Sequence, residues 1–99
     1  MKFVIIESEE QARETIKKTV HKTCPEAVLA GAAQNGKDGY ELVRAENPDL
    51  VIMDLQLPGM GGLSTLRKLR SEKIDARVIV ITADTDFDRA RQAISLSVD

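Results

Sequence analysis

The sequence predicts an α/β domain: a parallel β-sheet with helices on both faces. Three observations predict it. Four short apolar runs, Phe3–Ile6, Ala27–Ala33, Leu50–Met53 and Val78–Ile81, alternate with stretches of helical periodicity, giving the order β-α-β-α-β-α-β-α. Right-handed crossovers between such strands place the helices on both faces of one sheet. Leu50-Val51-Ile52-Met53 has no polar interruption, the signature of a strand buried on both faces rather than half-exposed. Finally, 99 residues leave room for one domain, and no repeat, linker or low-complexity segment divides them.

Each element follows from local chemistry. Phe3–Ile6 is the first strand, and Ser8 is the expected N-cap of a helix with acids in its first turn. In that helix Ala12, Ile16 and Val20 form one apolar stripe while Arg13, Lys17, Lys18 and Lys22 point elsewhere, and Cys24-Pro25 ends it. Ala27–Ala33 is the second strand, closed by a turn at Gln34-Asn35-Gly36. A short helix follows from Gly39 to Asn47, stopped because the residue before Pro48 is driven out of the α region. Asp49–Asp54 is the third strand. Beyond the Pro58-Gly59-Met60-Gly61-Gly62 loop, Leu63, Leu66 and Leu69 line a third helix reaching about Lys73. Val78–Ile81 is the fourth strand, and a last helix is expected from about Asp86, with Phe87, Ala90, Ala93, Ile94 and Leu96 on its apolar side.

Composition narrows the function. With 30% charged residues, 42% hydrophobic and a net charge of −2, the chain has the balance of an ordinary globular protein and no basic face for direct nucleic-acid contact. A single cysteine, Cys24, excludes an internal disulfide, and a single histidine, His21, excludes a Cys/His zinc cluster. The first strand turns acidic too soon for a signal segment, and no run is long enough to span a membrane, so a cytoplasmic protein is expected.

Chemistry gathers outside the carboxyl ends of strands in open α/β sheets. Three strands here end in polar residues able to converge: Glu7-Ser8-Glu9, Asp54 and Thr82. Carboxylates at one rim ionise together at low cost only beside a cation, and a hard, oxygen-ligated ion such as Mg²⁺ suits them. A neighbouring hydroxyl can hydrogen-bond an anionic group placed on one carboxylate. These parts fit phosphoryl transfer onto an aspartate, where positioning and charge neutralisation supply most of the catalysis. The plain alternative is that the glutamates favour a helix N-terminus, Thr82 satisfies nearby backbone and Asp54 caps a loop.

The run Pro48-Asp49-Leu50-Val51-Ile52-Met53-Asp54-Leu55-Gln56-Leu57-Pro58-Gly59-Met60-Gly61-Gly62 is similar, at nearly every position, to the phosphoacceptor segment of two-component response regulators. Val78-Ile79-Val80-Ile81-Thr82-Ala83 resembles the strand that carries their switch hydroxyl, and the likeness to a receiver domain covers the chain from Lys2 to Asp99. The resemblance implies a flavodoxin-like fold with strand order 2-1-3-4-5. It implies that Asp54 accepts a phosphoryl group from a sensor histidine kinase or phosphotransfer protein, and that Thr82 then moves toward the phosphoaspartate. Glu7, Asp54 and the main-chain carbonyl of Gln56 would hold Mg²⁺, with Glu9 a weaker contributor. Ala83 leaves access to the acceptor, and Gln56 and Asp84 flank it where they tune dephosphorylation. Such a domain is a switch rather than an enzyme, and in a full-length protein it controls an output domain.

The chain departs from the family pattern twice. Two adjacent acids usually follow the first strand, and here Glu7-Ser8 stand there, so a neutral hydroxyl replaces a metal-binding acid. The chain also ends before the usual fifth strand, its phosphoryl-pairing lysine and the fifth helix, so residues 1–99 are expected to form a receiver domain truncated to about four strands and four helices. A bare fourth strand invites pairing, and the fragment is expected to dimerise or exchange elements through it. These departures support a second reading, a pseudo-receiver interaction module with weak or no phosphorylation. A flavodoxin-like cofactor enzyme is disfavoured by the absence of a Gly-rich loop after the first strand and of any tryptophan to stack a flavin. Gly59, Gly61 and Gly62 lack the lysine and spacing of a nucleotide loop.

Overall fold

The structure is a computed structural model and describes residues 1–81. Its elements are β1 (Lys2–Ile6), α1 (Glu10–Thr23), β2 (Val28–Ala33), α2 (Gly36–Glu46), β3 (Leu50–Asp54), α3 (Gly62–Ser71) and β4 (Arg77–Ile81). The strands form one parallel sheet in the order β2-β1-β3-β4. This is the expected alternation and the expected flavodoxin-like order, as far as the described residues carry it. The fourth helix expected from Asp86 lies outside them.

Alternation along the strands sorts the core into two layers. Val4 and Ile6 of β1, Val51 and Met53 of β3 and Val78 of β4 face α2 and α3, meeting Tyr40, Val43, Leu66 and Leu69. Phe3, Ile5 and Ile52 face the other way, where Ile16 and Val20 of α1 cover them. Helices therefore lie on both faces, and the two central strands are apolar on both sides because both sides are covered. On the α1 side the cover thins toward β4, where Ile79 and Ile81 are each 41% exposed.

Local chemistry corrects three expectations. Ser8 is not the N-cap of α1. Glu9 occupies that position and makes no side-chain capping bond, because the chain runs one residue further before it turns into the helix. The Asn35-Gly36 pair is not a free-standing turn before a helix at Gly39. Asn35 caps α2 directly, its side chain accepting the Asp38 N–H at 2.8 Å, so the helix starts three residues earlier. Likewise α3 stops at Ser71, short of Lys73, which adopts a positive φ of 60° just beyond it.

Tight backbone contacts fix the ends of α2 and α3 nearest the sheet rim. At Gly62 a side chain would bring its Cβ to 2.6 Å from the Leu55 Cα, and the Gly62 N–H donates to the Leu55 carbonyl at 3.1 Å. Thr65, fully buried, donates its hydroxyl to the Gly61 carbonyl at 2.7 Å and sits against Gly36 of α2. The start of α3 is thus pressed onto the residues that leave β3.

Candidate functional site: an acidic pair at the rim of the central strands

Parallel register brings two carboxylates together. Ile6 stands beside Met53, so the next residue on each strand, Glu7 and Asp54, emerges at the same rim. The Glu7 N–H continues the ladder to the Ala33 carbonyl at 2.9 Å, which holds its backbone in line with the sheet. Its side chain is buried at 8% exposure, and its carboxyl lies close enough to that of Asp54 for the two to interact electrostatically.

Each acid is also held by backbone donors. The Ser8 N–H donates to Glu7 Oε2 at 2.7 Å. The Gln56 N–H donates to Asp54 Oδ1 at 2.9 Å, closing the tight turn after β3. Burial raises the Glu7 pKa above its ordinary value, and the Asp54 charge beside it acts in the same direction. The Ser8 and Glu9 amides oppose both without cancelling them. A cation beside the two carboxyl groups would offset the cost of holding a negative charge on the buried Glu7.

Asp54 and Glu7, expected from sequence to converge, do so. Ser8 contributes its amide rather than a capping hydroxyl. The Glu9 side chain is exposed, and among the described residues no third Asp, Glu, His or Cys joins the pair. Gln56 is exposed and meets Asp54 through its N–H. Thr82, Ala83 and Asp84 lie outside the described residues. The residues present fit Mg²⁺, which is commonly held by one or two carboxylates with water completing an octahedron, and the burial that raises the Glu7 pKa favours a cation beside it.

One participant escaped the sequence reading. Arg13 was placed on the polar side of α1, yet its guanidinium folds back over the helix start to donate to the Glu7 carbonyl at 2.8 Å and the Ser8 carbonyl at 3.1 Å. The available signal was a long cation one turn into a helix that otherwise opens with acids.

This fold and this rim define a receiver-type α/β switch domain, and comparison with known proteins agrees. The model of the response regulator receiver domain matches residues 3–99, and the chain belongs to that family. It is 31% identical over 97 residues to the nitrate/nitrite response regulator protein NarL of Escherichia coli K12, covering 98% of this chain and 44% of that protein. It is 34% identical over 95 residues to the probable C4-dicarboxylate response regulator DctR of Bacillus subtilis 168, covering 96% of this chain and 40% of that one. The chain thus spans less than half the length of these curated relatives. Among solved structures, a DNA-binding response regulator of the LuxR family from Staphylococcus aureus superposes with a TM-score of 0.89 at 26% identity, covering 98% of this chain and 80% of that one. The N-terminal domain of an uncharacterized protein from Wolinella succinogenes gives a TM-score of 0.86 at 30% identity, covering 100% and 77%. Among the described residues no helix is long and apolar enough to cross a membrane.

Proposed function

We propose that this receiver domain takes a phosphoryl group onto Asp54 and transmits the change as a conformational signal. The observation that carries the reading is the Glu7–Asp54 carboxyl pair at the rim of β1 and β3, with the Asp54 backbone locked by α3. In the transfer an Asp54 carboxylate oxygen attacks phosphorus, the P–N bond of a phosphohistidine donor breaks as the P–O bond forms, and the electron pair leaves on the imidazole nitrogen. Glu7, Asp54 and the Gln56 main-chain carbonyl would hold Mg²⁺, which neutralises charge on the transferred group. Glu9 stands near enough in sequence to add a weaker contact, and Ser8 leaves the site one charge short.

A sensor histidine kinase or phosphotransfer protein is the donor in this reading. Thr82 is the hydroxyl that follows the phosphoryl group, with Ala83 and Asp84 shaping access and lifetime. An output domain in a longer protein receives the signal, consistent with the greater length of the relatives.

The test is mass measurement before and after incubation with a small phosphodonor and Mg²⁺. One added phosphoryl group is expected, absent from Asp54→Ala. No gain at any Mg²⁺ concentration, or an undiminished gain in Asp54→Ala, overturns the assignment.

A further inference from the structure

We propose that Arg13 is the positioning residue of the acidic pair, acting through the Glu7–Ser8 peptide plane on the Glu7 carboxylate; the inference rests on the reading of Glu7 and Asp54 as a metal-holding site. A trans peptide is rigid, with its C=O and N–H pointing in opposite directions. The unit joining Glu7 to Ser8 presents its carbonyl to the Arg13 guanidinium at 2.8 Å and its N–H to Glu7 Oε2 at 2.7 Å. The Ser8 carbonyl, on the next unit, also accepts from Arg13, at 3.1 Å. One guanidinium therefore sets the tilt of the plane whose N–H holds the carboxylate and steadies the carbonyl that follows it.

Placement on α1 supports a dedicated role. The Arg13 N–H donates to the Glu9 carbonyl at 3.0 Å, the first turn of the helix, so its backbone is fixed while its side chain runs back toward the sheet rim. A cation there opposes the helix dipole, which favours anions at this end, and Glu9 provides no side-chain cap to order the loop. The two charge-assisted bonds to carbonyls offset that cost and hold the loop that leads into the helix. Both hydrogen bonds of the Arg13 guanidinium go to main-chain oxygen and neither to a carboxylate. Its effect on the site is geometric, as for the outer groups that orient metal ligands.

The test compares Arg13→Met, which keeps the apolar stem, and Arg13→Lys, which keeps one cationic donor, with the parent chain. Amide hydrogen exchange is read at Ser8, with Val4 to Ile6 as internal reference, and Mg²⁺ affinity is read by calorimetry well below the melting temperature. Arg13→Met is expected to speed exchange at Ser8 about tenfold, to leave β1 unchanged and to weaken Mg²⁺ binding about tenfold. Arg13→Lys should fall between. Ile16→Val serves as the control for mere loosening of α1 and should change neither readout. Arg13→Met matching the parent in exchange and affinity overturns the role of Arg13 alone. A parent chain that takes up neither Mg²⁺ nor phosphoryl group brings down the site reading, and the role with it.

Discussion

The exits of β1 and β3 lie side by side at one rim and are held by opposite means. After β3 the chain is fixed by packing: Leu55 and Leu57 are buried, and Gly62 is pressed against the backbone of Asp54 and Leu55. After β1 it is fixed by polar bonds, with Glu7 buried among amide donors and Arg13 clamping the carbonyls. The difference assigns the two acids different work. Asp54 is partly exposed at the end of a rigid frame, which suits the acceptor role proposed for it. Glu7 is enclosed and tuned by its surroundings.

The largest effect should come from breaking the packed exit. Gly62→Ala places a methyl group against main-chain atoms that have no rotamer to escape into, and should cost about 2–3 kcal/mol in denaturant unfolding. An unchanged unfolding midpoint would show that α3 is not wedged on β3. Ser8→Asp should erase part of the contrast from the other side. It supplies the charge that the β1 exit lacks, and Mg²⁺ affinity by calorimetry should rise about tenfold, or about 1.4 kcal/mol. Equal affinity would mean that Ser8 does not face the ion.

The smallest effect is on the pH dependence of stability. Because the Glu7 pKa is higher in the folded than in the unfolded chain, the folded state binds more protons between the two values. Stability from this group is therefore present below its unfolded pKa and is lost as pH rises through the raised folded value. Glu7→Gln mimics the protonated form, so it should raise the melting temperature at pH 7 by a few degrees, flatten the pH profile across the acid range and abolish Mg²⁺ binding. A variant that melts at or below the parent temperature at pH 7 would show that Glu7 is not held at a cost.

The sequence by itself determined the strand and helix order, the doubly covered central strands and the position of Asp54. Each rests on signals local in the chain: an unbroken apolar run, a four-residue stripe, and glycines where the chain must turn tightly. The cap at Asn35 is legible in kind, since an Asx side chain bonding a following amide begins both a turn and a helix. Tertiary structure alone decided how Glu7 and Asp54 meet. That depends on the register of strands more than forty residues apart, in which Ile6 stands beside Met53. It also decided that Glu7 is buried and that Arg13 turns inward, because a long side chain on a helix end can point to water or to backbone with the same sequence pattern. Only the fold, by leaving two loop carbonyls within its reach, settles which.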